Sequence, residues 1–229
     1  MRVISSCQRF STFEITLTPT LSRSTGRGGN SDMDSHKLVV KLFVEDASKI
    51  DVHEFVPIFH SWIQQRSVPD HLVIDVSDYA HVHHGPGTLL VTHEANFYTD
   101  QGEGRLGLMY QRKQPFPGTF TDRLRQAFLA TLQACQRLET DPRLAGRIKF
   151  KTDEVLIAIH DRLNAPSVPE TFQPVRDDLQ QFFADAYGSE VSLRQVGNDE
   201  TPFKVEVVTK QAPSIDALLS RLSVAGSVT

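Results

Sequence analysis

The sequence predicts an α+β protein, a largely antiparallel sheet with helices packed on one face. Three observations predict it. Runs rich in β-branched and aromatic residues, such as Leu38–Val44 and Phe203–Thr209, alternate with longer stretches whose apolar residues recur at helical spacing. The connections between the strand-like runs of residues 71–112 are too short for the crossovers that parallel pairing needs. Hydrophobic residues make up 39% of the 229 and charged residues 23%, a balance that suits a globular protein with a core.

Leu38–Val44 reads as a strand closed by the acidic Glu45-Asp46. A helix follows between Asp51 and Arg66, with Val52, Phe55, Val56, Phe59 and Ile63 at helical spacing. Pro57 is tolerated only in a first turn, so the regular helix should start near Val56. His71–Tyr79, Thr88–Tyr98 and Arg105–Arg112 read as three strands of a meander, with a Gly-containing turn at 100–104. A long helix is expected from about Thr121 to Glu139, with Thr119 or Thr121 as N-cap. Arg147–Lys151 and Glu154–His160 read as strand, although Thr152-Asp153-Glu154 could cap a short helix. A helix over Thr171–Tyr187 should stop at Gly188. Glu190–Val196 and Phe203–Thr209 form a hairpin around Gly197-Asn198-Asp199, and a short helix, Ile215–Leu222, ends the fold.

The expected order is therefore β-α-β-β-β-α-β-α-β-β-α. Residues 34–229 are taken as one compact domain, because no linker rich in Gly, Ser or Pro divides them. The sub-halves 34–145 and 146–229 share a layout of strand, helix, antiparallel strands and helix. Two ferredoxin-like halves are the alternative reading.

Residues 1–33 look foreign to this pattern. Ten of the first thirty residues are Ser or Thr, four are Arg, and Glu14 is the only acid. Three readings compete: a disordered basic extension, an organelle transit peptide, or a non-native stretch ahead of a true start at Met33. Leu17–Gly29 resembles translated repetitive intergenic DNA and favours the third. From Met33 the net charge becomes −6 rather than −4, since Arg2, Arg9, Arg23, Arg27, Glu14 and Asp32 precede it.

Several classes are disfavoured. No apolar run approaches the roughly 18–20 residues of a membrane-spanning helix. Net acidity argues against a nucleic-acid or anionic-membrane partner. Cys7 and Cys135 alone cannot build a disulfide scaffold or a thiolate zinc site, and Cys135 falls on an apolar helix stripe. No secretory apolar region exists, so the expected location is the cytoplasm.

One region proposes a function. Four of the nine histidines lie between 81 and 93, around Gly85-Pro86-Gly87. If Pro86 centres the hairpin, Tyr79 faces His93, Asp78 faces Glu94 and His81 faces Val91. His81, His83 and His93 then share one sheet face, and Asp78 and Glu94 the other. A one-residue slip removes this. Three imidazoles on one face could bind a divalent transition metal, Zn²⁺ or Fe²⁺, as in a metal-dependent enzyme whose metal activates water. Without a metal, Asp78, Gly85, Gly87 and Glu94 are candidate ligand-binding residues, the glycines leaving backbone N–H groups uncovered. The plainest alternative is a polar turn with solvated His83 and His84.

Asp75-Val-Ser-Asp-Tyr79, the His81-Val82 and Gly85-Pro86-Gly87 that follow it, His93-Glu-Ala-Asn-Phe97, Gly104–Tyr110 with Arg112-Lys113, and Asp161–Pro166 resemble a family of uncharacterised bacterial proteins of about this length. The resemblance implies no activity, cofactor or catalytic residue. It covers nothing before Met33. Three functions stay open: a small-ligand or partner site at the hairpin 78–94, a metal-dependent enzyme using His81, His83 and His93, and a homo-oligomeric module pairing through an exposed strand edge.

Overall fold

The computed structural model describes residues 37–82, 85–198 and 200–225. Its strands are β1 (Leu38–Val44), β2 (Val73–Tyr79), β3 (Gly87–Thr92), β4 (Ala95–Asp100), β5 (Gly107–Arg112), β6 (Phe150–Ile159), β7 (Val191–Val196) and β8 (Phe203–Thr209). The helices are α1 (Phe55–Gln65), α2 (Phe120–Thr140), α3 (Pro169–Tyr187) and α4 (Ile215–Ala225). The strands form one eight-stranded sheet in the order β2-β3-β4-β5-β1-β6-β8-β7, and every neighbouring pair is antiparallel. This is the α+β architecture that the sequence predicts.

In each half the first strand pairs with the last, β1 with β5 and β6 with β8. The halves meet where β1 and β6 run side by side. Read from β1, the order β1-β6-β8-β7 is that of a ferredoxin-like unit whose outer strand is lent by the first half. β1 is buried along its whole length because it lies between these two neighbours.

Leu38, Val40, Leu42 and Val44 face the helices and join one apolar core. α1 packs on β2 and β3, α2 on β1 and β5, and α3 on β7. α2 contributes Leu124, Phe128, Leu132, Cys135 and Leu138, each inaccessible to solvent. Burial pushes the Cys135 thiol well above its usual pKa, so it packs as a small apolar group. Thr119 caps α2 reciprocally with Asp122, and Pro57 sits in the first turn of α1. Gly188 ends α3 in the left-handed conformation. No helix among the described residues is long and apolar enough to cross a membrane.

Two elements differ from expectation. Thr88–Tyr98 is not one strand but two, so the order gains a strand before α2. The reversal at His93-Glu94 contains neither Gly nor Pro. Thr92 closes it instead: its Oγ1 donates to the Ala95 carbonyl at 2.6 Å and accepts from the Ala95 N–H at 2.9 Å. Conversely, the pieces expected at Arg147–Lys151 and Glu154–His160 are one strand, β6, starting at Phe150.

Candidate functional site

The hairpin register decides which of the expected site residues meet. Tyr79 faces Gly87, Asp78 faces Thr88 and Ser77 faces Leu89. The Gly85-Pro86-Gly87 triplet is therefore not the apex; Gly87 is already the first residue of β3. Three expected pairings, Tyr79 with His93, Asp78 with Glu94 and His81 with Val91, are corrected. Gly87 enters the strand here because its φ is +61°, and a Cβ on it would lie 2.2 Å from Thr99 Oγ1.

This register separates the histidines. His81 follows the end of β2, whereas His93 lies beyond the far end of β3, about 17 Å of strand away. His83 lies outside the described residues, as does His84. Among the described residues, no group of three or more His, Cys, Asp or Glu side chains is placed to hold a metal ion. Glu94 stays with His93 at the far end, where its carboxylate accepts from the Leu72 N–H at 2.8 Å and locks the β3–β4 turn onto β2. A bulge between Val73 and Asp75 also breaks the alternation expected along β2. Asp78 contacts His53 Nδ1 at 3.3 Å. The Ala80 N–H, the strongest of its influences, holds its carboxyl below the usual range.

Of the expected residues, His81, Gly85 and Gly87 do come together, and they meet the 101–104 turn. Tyr79, Ala80, His81, Val82, Gly85 and Gly87 form one wall of a cleft of about 440 Å³, and Gln101 to Gly104 form the other. That is within the size range of small-molecule sites.

The second wall depends on a buried lysine. Lys41 lies in the middle of β1 and is 2% exposed. Its side chain leaves the sheet on the face opposite the helices, beside a small cluster of Val39, Tyr98, Met109 and Ala158. Gly107 makes room for it, since a Cβ there would lie 2.7 Å from Lys41 Cε. The Lys41 ammonium donates to Asp100 Oδ2 at 2.5 Å and to the Arg105 carbonyl at 2.8 Å, bracketing the 101–104 turn at both ends. Asp100 Oδ2 also accepts from the Gly102 N–H at 3.1 Å. Burial lowers the Lys41 pKa, and the Asp100 carboxylate opposes that shift. Arg105 then spans to Glu154 with two bonds of 2.6 Å and lies 3.7 Å over the Phe43 ring. The signal in the sequence was Lys41 itself, one charge in the apolar run Leu38–Val44.

The cleft keeps hydrogen-bonding capacity unused. Tyr79, His81 and Gln101 line it, and their side chains have no hydrogen-bond partner among the described residues. Glu103, 67% exposed at its side chain, bonds Lys204 through Oε1 alone, at 3.2 Å. A larger groove of about 540 Å³ lies between α1 and the end of α2. Of the two arginines that line it, Arg143 bonds Asp141, Ser61 and the Pro57 carbonyl, and Arg137 is partly buried, which lowers its pKa. No protein-family model matches the sequence, and no curated protein matches it.

Proposed function

We propose that the chain is a binding protein that holds a small, neutral or cationic polar molecule in the cleft between residues 79–82, 85 and 87 on one side and 101–104 on the other. One observation carries this reading: three uncommitted polar side chains and one half-committed carboxylate converge on a cleft of ligand size. Tyr79, His81 and Gln101 offer both donors and acceptors, and Glu103 adds negative charge. Val82, 44% exposed, supplies an apolar contact. A ligand rich in hydroxyl or amino donors suits this lining, and a carboxylate or phosphate would face Glu103 at close range. Work in the cytoplasm is part of the same reading.

The test is ligand-observed NMR with two probe panels at millimolar concentration. One holds monosaccharides and primary amines; the other holds dicarboxylates and inorganic phosphate. The first panel should bind, and its amines should lose at least fivefold in affinity in Glu103→Gln. Preference for the anions, no binding from either panel, or full binding by a Tyr79→Phe/Glu103→Gln variant would each overturn the proposal.

A further inference from the structure

The groove between α1 and the end of α2 holds a charge that the described residues leave unmatched. Trp62, Gln65 and Arg137 line it, and their side chains have no hydrogen-bond partner among the described residues. Trp62 is only 3% exposed. Its indole N–H and the Arg137 guanidinium are donors only, so neither can be satisfied by another donor. Burial alone acts on the Arg137 pKa and lowers it, whereas bonding to Asp141 raises that of Arg143. A guanidinium stays charged in a protein, so its loss of water here is a cost that no partner offsets.

The acceptors of the groove are already taken. Asp141 is the one carboxylate in the lining, and Arg143 holds both its oxygens, through Nε at 2.8 Å and Nη2 at 2.6 Å. At the end of α2 the Thr140 hydroxyl donates to the Gln136 carbonyl at 2.9 Å, and the Asp141 N–H to the Leu138 carbonyl at 3.3 Å.

Charge and size select the occupant. Asp141 and Arg143 cancel, which leaves one net positive charge in the lining, on Arg137. A monoanion matches it, whereas a phosphate dianion would bring a surplus charge beside the Asp141 carboxylate. The planar fork of a guanidinium fits the two oxygens of a carboxylate. About 540 Å³ is more than a bare ion needs and lies in the range of small organic ligands.

We propose that this groove binds an organic monocarboxylate, held by the Arg137 guanidinium with Trp62 and Gln65 as further donors. The inference is independent of the ligand cleft, with which the groove shares no lining residue.

Titration of the whole chain with sodium benzoate, followed by backbone and indole N–H chemical shifts, tests it. Benzamide serves as the uncharged counterpart and inorganic phosphate as a second anion. Benzoate should give saturable shifts at the Trp62 indole and across residues 61–67 and 137–143. Benzamide and phosphate should each bind at least tenfold more weakly. Arg137→Gln should raise the benzoate Kd at least tenfold, and it should fold because it removes a charge that has no partner. Arg137→Lys, which keeps the charge without the fork, should recover only part of the affinity. In Arg137→Gln the preference of the cleft between cationic and anionic probes is read free of this groove. Benzamide or phosphate binding as tightly as benzoate, unchanged benzoate affinity in Arg137→Gln, full affinity in Arg137→Lys, shifts confined to residues 79–104, or no saturable shift would overturn the proposal.

Discussion

Replacing Lys41 with methionine removes one ammonium and keeps a side chain of similar length. The change leaves Asp100 with a single described donor, the Gly102 N–H at 3.1 Å. Removing one partner of a buried ion pair costs about 3–5 kcal/mol. Lys41 is 2% exposed but the Asp100 side chain is 21% exposed, so water still reaches the orphaned carboxylate. That lowers the expected cost to about 2–3 kcal/mol, with a further packing cost under about 1 kcal/mol, because methionine refills the volume. In a folded unit of this size each kcal/mol moves Tm by roughly 2–4 °C, so the fall should be about 5–10 °C. Thermal unfolding followed by circular dichroism reads it. Lys41→Met/Asp100→Asn should recover most of the loss, because no unpaired charge then remains. A neutral Lys41→Met, or a double variant no better than the single, would refute the idea that this pair holds the second wall.

Gly87 and Gly104 both have positive φ, +61° and +71°, but only Gly87 is crowded. Gly87→Ala should cost about 2–3 kcal/mol and Gly104→Ala only about 1 kcal/mol, a contrast that urea unfolding resolves. Thr119→Ala removes one half of the α2 capping box and should cost about 1 kcal/mol by the same method. Burial holds His71 and His160 below their usual pKa, so the unfolded chain takes up protons first as pH falls. Stability should drop as pH falls from about 6.5 towards the folded-state values and should not change further from these groups below them. His71→Gln/His160→Gln should flatten the urea midpoint between pH 7 and pH 5; an unchanged slope would assign it to other groups.

What could be read from the sequence was what local chemistry determines. β1, β8, the Pro57-containing start of α1, the Thr119 cap and the Gly188 stop all follow from side-chain type and spacing within one element. The β3–β4 reversal was hidden because Thr88–Tyr98 reads as an unbroken strand. Its closure depends on one hydroxyl, Thr92, and on Glu94 reaching Leu72, 22 residues back in the chain. The hairpin register is not legible in the sequence because Gly85-Pro86-Gly87 looks like an apex, whereas Gly87 is placed by Thr99 on a different strand. His81, Gly85 and Gly87 were found from composition. Gln101 and Glu103 were not, because Lys41 brings their turn to the cleft across 59 residues of sequence.

In the proposed function, residues 79–82, 85 and 87 form one binding surface with residues 101–104. Amide chemical-shift mapping of the whole chain, titrated with the tightest-binding amine or sugar of the first panel, tests it most directly. Saturable shifts should appear together at Tyr79, His81, Gly85, Gln101, Glu103 and Gly104, with the α1–α2 groove silent. Shifts confined to that groove, or to one wall of the cleft without the other, would contradict it.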